Sequence, residues 1–239
     1  MIHTETDKSH LIRLVRNSGR AVRTIFDCGA LHALDGIELA QLLGASELHT
    51  FECNPPSVAV CRRNHAEHLP ATIRGYICEQ AVSDREGEIE FHPIDITKTV
   101  TPHKDGNSGA SSMFLANGSY TREHYVQTTI NVPTISLDTY CRSHSAPDLL
   151  WLDLQGAELL ALQGARSILP SVGFIHIEVG FRAMYKNQSM FWDIDQFLRQ
   201  EGFKLAHLDV GRWPRIPSIY SMLRFGPWLG NAIYTYDKV

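Results

Sequence analysis

The stretch IFDCGALHALDGIELAQLLGASELHTFECNPP, residues 25–56, decides the fold. It begins as an apolar, β-branched run from Thr24 to Cys28 and breaks at Gly29. It takes up helical spacing around Gly36 to Leu43, then returns to an apolar run, Leu48 to Phe51, that closes on Glu52. Short apolar runs bounded by turn residues read as buried strands, and 3.6-residue spacing between them reads as a helix. Strands that alternate with helices build a parallel sheet covered by helices.

The same rhythm continues along the chain. A helix is expected from about Pro56 and Ser57, where proline in the first turn loses no hydrogen bond. A third run, Thr72 to Val82, leads into SDREGEIEFHPI, a turn and a further strand. LLWLDLQG, residues 149–156, is the fourth buried strand. AELLALQGARSIL is its helix, with Leu159, Leu162, Ala165 and Leu169 at helical spacing and Pro170 as the stop. GFIHIEVG is a fifth strand, and MFWDIDQFLRQEG a helix that ends at Gly202. Phe203 to Asp209 and Asn231 to Tyr236 read as two late strands. The reading is one domain over 1–239, with a leading helix in 1–23. A polar loop, 97–125, is inserted in it, and a long loop, 211–230, lies between the last two strands.

Bulk properties narrow the function. The net charge is −4, from 22 basic and 26 acidic side chains. That balance gives no basic surface for nucleic acid. No window reaches the roughly 18 apolar residues of a spanning helix, and the N-terminus lacks the apolar core of a signal peptide. The cysteines Cys28, Cys53, Cys61, Cys78 and Cys141 form no C-x-x-C pair, which points to reduced thiols and a cytoplasmic location. Of the 12 histidines, only His65 and His68 sit at helical spacing and no third ligand is near, so no metal site is expected. Composition leaves a homo-oligomer open.

Ligands of open α/β sheets bind at the carboxyl ends of the strands, where Asp27, Gly29 and Glu52 fall. Glu52, about 20 residues beyond the first turn, suits a ribose diol. A dinucleotide site needs G-x-G-x-x-G to bring backbone N–H groups to a pyrophosphate. Here Asp27 stands at the first glycine position and would repel phosphate. A carboxylate there suits a ligand with an amino group and a sulfonium, namely S-adenosylmethionine. Asp27 as a buried cap of the next helix is the alternative reading.

Seven stretches, in order, resemble the FkbM-type S-adenosylmethionine-dependent methyltransferases: FDCGA, FECNP, AVSDREGEIEF, GASSMF, ISLDTY, LDLQGAELLALQGA and IHIEVG, within residues 24–208. The resemblance implies a Rossmann-like class I methyltransferase fold. Its sheet has seven mostly parallel strands with one antiparallel, and helices on both faces. It implies transfer of a methyl group to a hydroxyl of a sugar, glycan or secondary metabolite. The implied donor site is Asp27, Gly29, Ala30, Glu52, Cys53, Ala81, Val82 and Gln155. The family usually has Asn at the position of Leu31, Gly at that of Ala33, Lys at that of Trp151 and Glu at that of Gln155. Ala33 is expected to narrow the donor site and Gly36 to restore the room.

Catalytic candidates follow from chemistry. A sugar hydroxyl is a weak acid, so its attack on a methyl group needs a base. Asp153 and Glu178 end strands that should be apolar throughout. His176 has the pKa of a general base, although a hydrogen-bonded core histidine is its other reading. Glu158 serves the start of its helix. Ser111 and Ser112 are candidates for the acceptor side, as are Trp213 and Trp228, which share 211–230 with Tyr220 and Phe225. Two other functions compete: a nicotinamide-dependent reductase, and a donor-binding module without catalysis.

Overall fold

The computed structural model describes residues 5–210 and 228–236. Seven strands form the main sheet: β1 (Thr24–Cys28), β2 (Glu47–Phe51), β3 (Arg74–Cys78), β7 (Leu149–Leu152), β8 (Phe174–Gly180), β9 (Phe203–Asp209) and β10 (Leu229–Tyr236). Their spatial order is β3-β2-β1-β7-β8-β10-β9. All pairs from β3 to β8 are parallel, and β10 runs antiparallel to both β8 and β9. The order reverses beside β1, whose neighbours are β2 and β7. There the crossover loops part and leave a crevice at the strand ends.

The helices divide between the two faces. On one lie α1 (Glu5–Ser18), α2 (Leu34–Leu43) and α3 (Pro55–His68), which bury Leu11, Val15, Ile37, Leu39 and Cys61 against Ile25, Leu48, Leu149 and Trp151. On the other lie α4 (Leu137–Tyr140), α5 (Glu158–Gln163) and α6 (Phe191–Gln200), packed on Phe26, Phe51, Leu150, Leu152, Ile175 and Ile177. The strand residues alternate between the two clusters because successive side chains leave opposite faces. Each fully buried Leu, Ile or Phe contributes about 1.5–3 kcal/mol, so two continuous layers hold the strand ends in register.

The structure departs from the sequence reading at three places. The run Thr72 to Val82 is two strands. Beyond Cys78 the chain leaves the main sheet, and β4 (Ala81–Val82) joins a second one, ordered β4-β6-β5, with β5 (Gly87–Phe91) and β6 (Ile130–Ile135). The Gln80 side chain fixes this departure by donating to the Thr134 carbonyl. The expected polar loop 97–125 therefore hangs from the hairpin of β5 and β6, a strand that sequence reading did not find. It is partly ordered, with backbone bridges between Val100 and His124 and a 3₁₀ turn at Ser108–Ala110. Finally, α5 stops at Gln163, well short of Pro170. Asp138 captures the next turn, its carboxylate accepting from the Ser167 and Ile168 N–H groups.

All five cysteines are free thiols. Among the described residues, no helix is long and apolar enough to cross a membrane.

Candidate active site

Two clefts open at the carboxyl ends of β1, β2 and β7. One, of about 540 Å³, is lined by Gly29, Glu52, Cys53, Ala81, Val82, Ser111, Asp153 and Gln155, among others. The other, of about 620 Å³, is lined by Asp27, Gly29, Ala30, Leu31, Trp151 and Asp153 with three neighbours. They meet at Gly29, Leu31 and Asp153. Every residue expected at the donor site lines one cleft or the other.

The turn after β1 makes this crevice. Gly29 has φ +82, and a Cβ placed there would lie 1.9 Å from the Asp153 carbonyl oxygen. Only glycine lets β1 and β7 end so close together. Leu31 and Ala33 also hold positive φ, at 52° and 61°, which explains why relatives favour Asn and Gly at these positions. The Leu31 N–H then points at the Glu52 carboxylate, and Asn54 N–H donates to its other oxygen, each at 2.8 Å. Burial raises the Glu52 pKa, while the N–H groups of Asn54, Leu31 and Cys53 oppose that rise. Each carboxylate oxygen keeps lone-pair capacity on the cleft side.

Two expectations change here. Ala33 does not narrow the cleft, because it is buried in the core layer of α1 to α3. Gly36 does not make room for a ligand either. A Cβ at Gly36 would lie 2.5 Å from Asp27 Oδ2, so this glycine admits the Asp27 carboxylate against the start of α2. Asp27 also lines the second cleft.

Among the described residues, Lys and Arg are absent from both linings, whereas Asp27, Asp35, Glu52 and Asp153 are present. That set of acids would repel a pyrophosphate. It is compatible with a ligand that carries a ribose, an ammonium and a sulfonium.

The second half of the site sits where β7 and β8 end. Gln155 Nε2 donates to Asp153 Oδ1 at 2.6 Å and to Glu178 Oε2 at 2.9 Å. One side-chain amide thus bridges two carboxyl groups that would otherwise repel. Burial pushes the Glu178 pKa well above the carboxylate range, and the charges of Asp153 and Glu158 add to that rise. Gln155 itself has φ +50. Its turn is held by Glu158, whose carboxylate accepts from the Leu154 and Gly156 N–H groups. Burial, aided by Asp153, lifts Glu158 to about 7 against those bonds. Glu158 therefore serves the start of its helix, as expected.

His176 and Ser112 need correction. His176 lies inside β8, 1% exposed, with its ring stacked on Trp151 at a centroid distance of 3.7 Å. It lines neither cleft. Burial in that stack removes it from the reacting end of the strand, so the core reading replaces the general-base one. Ser112 is equally buried, and its hydroxyl donates to the Gln155 carbonyl at 2.8 Å. It fixes the turn and does not touch an acceptor. Ser111 does line the first cleft.

Sequence reading missed an array of aromatic side chains beside the carboxyl pair. Tyr185 is buried and reaches Gln155 Oε1 at 3.1 Å. Tyr125, from the insert, stacks on Tyr185 at 6.4 Å. Tyr120 lies 6.1 Å from Tyr125 and meets Trp228 edge-on at 5.2 Å. The Arg182 guanidinium sits over the Trp228 ring. Burial and Glu123 raise the Tyr120 and Tyr125 phenols, and Glu178 adds to both. Trp228 is thus placed beside the insert, whereas Trp213, Tyr220 and Phe225 lie outside the described residues. The tyrosines are spread over 66 positions and form no motif, so no local signal identified them. Among the described residues, no group of three or more His, Cys, Asp or Glu side chains is arranged to hold a metal ion. His65 donates to or accepts from Thr50 Oγ1 at 2.8 Å.

The model of the methyltransferase FkbM domain matches residues 27–205. The 2-O-methyltransferase NoeI of Sinorhizobium fredii (strain NBRC 101917 / NGR234) is 28% identical over 174 residues, 69% of this chain and 66% of that protein. The chain therefore spans just under two thirds of that relative's length. Among solved structures, the methyltransferase FkbM from Methylobacillus flagellatus KT is 13% identical, with a TM-score of 0.53 over 90% of this chain and 44% of that one. The magnesium protoporphyrin IX methyltransferase of Synechocystis PCC 6803, solved with bound SAM, is 10% identical, with a TM-score of 0.51 over 97% and 79% of the two chains. These two likenesses establish the fold.

Proposed function

Because the chain belongs to the FkbM methyltransferase family, whose methyl donor is S-adenosylmethionine, we propose that it methylates a hydroxyl group of a sugar or glycan. One observation carries this reading: Gln155 bridges Glu178 to Asp153, which lines both clefts, and the Tyr120, Tyr125 and Trp228 array lies close enough that Glu178 raises both phenols. Aromatic faces pack against the CH surface of a sugar ring. The printed activity of the NoeI relative, 2-O-methylation, agrees with a hydroxyl acceptor. A hydroxylated secondary metabolite with a comparable ring is the nearest variant of the same reading.

The donor, when bound, supplies an electrophilic methyl group on sulfur. Glu52 would hold its ribose and Asp27 its ammonium end. Asp153 lines both clefts and accepts the proton of the acceptor hydroxyl as the oxygen attacks. Glu178, whose pKa is raised by burial, keeps its proton more readily than an ordinary carboxylic acid. Gln155 fixes the distance between the two. General base catalysis of this kind contributes roughly 10²–10⁴-fold.

The nicotinamide reading has no support left, given the family and the acidic clefts. A module that binds the donor without using it is separated by experiment. Wild-type protein is incubated with S-adenosylmethionine labelled in the methyl group and a panel of pyranosides and hydroxylated metabolites. Label in a pyranoside, lost in Asp153→Asn, is the expected result. Tight donor binding with no label in any acceptor would overturn the proposed function.

A further inference from the structure

We propose that Tyr185 is a positioning residue that sets the orientation of the Gln155 amide and ties the inserted segment to the carboxyl pair. The inference rests on the methyl-transfer reading for its importance, but its geometry is independent of any ligand. The Gln155 amide has two N–H groups and one oxygen. Its N–H groups go to Asp153 at 2.6 Å and Glu178 at 2.9 Å. Its oxygen faces the Tyr185 hydroxyl at 3.1 Å. A flipped amide would turn its oxygen toward the carboxyl pair and its N–H groups toward a phenol. A hydroxyl proton on the oxygen side favours the orientation that bridges the acids.

The same phenol lies 2.8 Å from the carbonyl oxygen of Ala110, in the 3₁₀ turn of the insert. One hydroxyl proton therefore serves two acceptors in a three-centre bond. The insert grips Gln155 a second time through Ser112, which donates to its backbone carbonyl at 2.8 Å. Tyr185 is itself held from behind. The Gln188 side-chain oxygen accepts from the Met184 and Tyr185 N–H groups at 2.7 and 3.2 Å, and the Gln188 stem packs against Gly156. Insert, β7 turn and β8 loop thus meet at one phenol. A shift of the insert, which also brings Ser111 to the donor cleft, would be felt by the Asp153–Glu178 pair through it.

The test is Tyr185→Phe, which keeps the ring stacked on Tyr125 and removes the proton. The readout is the side-chain ¹⁵NH₂ signal of Gln155 followed against pH. It reports protonation of the Asp153–Glu178 pair, which is faced by Glu158, Tyr120, Tyr125 and Tyr185. Polarisation of the amide by the phenol strengthens its bonds to the acids, so its loss should raise the midpoint by about half a pH unit. Turnover should fall about threefold to tenfold, as for one lost hydrogen bond. Binding of S-adenosylhomocysteine should stay unchanged. A folded variant with the wild-type midpoint and turnover would overturn the proposal. The wild-type protein offers a check without substitution. Both Gln155 N–H protons should be shifted downfield and exchange slowly, whereas shifts like those of an exposed amide would overturn it too. Loss of the Asp153 base role in Asp153→Asn leaves these signals as the separate arbiter of Tyr185.

Discussion

The two halves of the proposed site, one read as holding the donor and the other the acceptor, both use buried acids, but they hold them differently. Glu52 is held by backbone N–H groups from two short turns, Leu31 and Asn54. Asp153 and Glu178 are held by a side chain, Gln155, which is held in turn by Tyr185 and Ser112. Backbone geometry tolerates many side chains, so the first arrangement suits a donor shared by a whole family. A side-chain network changes with each substitution, so the second suits an acceptor that differs from member to member. Gln155, where relatives usually carry Glu, is the side chain that holds the second arrangement together.

If the halves are divided in this way, the largest effect belongs to Asp153. Asp153→Asn keeps the contact with Gln155 and loses the basicity. Turnover on a methylated acceptor should fall by about 10²–10⁴-fold, measured as labelled methyl transferred per minute. Near-normal turnover would break the comparison at its acceptor end.

Next comes the hinge between the halves. Gly29→Ala adds a Cβ 1.9 Å from the Asp153 carbonyl at a φ of +82. The strain and the forced separation of β1 from β7 should cost about 2–4 kcal/mol. Denaturant titration would register this as a lower midpoint at unchanged slope. A stability close to wild type would mean that the two strand ends can part freely.

Glu158 tests the acceptor half through pH. Its folded pKa, about 7, exceeds the unfolded value of about 4.3. Folding therefore favours the protonated carboxyl, and this stabilisation is complete below about pH 4.3 and lost as pH rises through about 7. The melting temperature of the wild type should decline over that window by the equivalent of at most about 4 kcal/mol. In Glu158→Gln this part of the decline should vanish. An unchanged profile would remove the burial argument for Glu158.

The smallest effect sharpens the acceptor wall. Tyr120→Ala should raise KM for a sugar acceptor about threefold to tenfold, in line with one lost aromatic contact. It should leave kcat and donor affinity alone. A change in kcat without a change in KM would place Tyr120 in the chemistry instead of in recognition.

The same division explains what sequence reading could reach. The strands and helices of the main sheet and the turn residues from Asp27 to Glu52 follow from local runs and from turns that close within about 25 residues, where periodicity and turn chemistry act, whereas the antiparallel strand was legible only through the family resemblance. The small sheet was missed because Pro133 and the alternating exposure of β6 blur its pattern. His176 looked catalytic because residue type and strand end were all that sequence offered. Its stack on Trp151 depends on the pairing of β7 with β8. Tyr185 and Tyr125 were missed because their partners, Gln155, Ala110 and Glu178, are brought together by the fold alone.

Calorimetric titration of S-adenosylmethionine into Glu52→Ala and Asp153→Asn, side by side, tests the division of the site most directly. Glu52→Ala removes two charge-assisted hydrogen bonds to the ribose, each worth about 1.5–3 kcal/mol. It should weaken donor binding at least about tenfold, in a protein that still melts cooperatively. Asp153→Asn should bind the donor within about threefold of wild type, a difference under 1 kcal/mol. Equal losses in both variants, or a loss confined to Asp153→Asn, would contradict the assignment of the donor to Glu52 and of the reacting hydroxyl to Asp153.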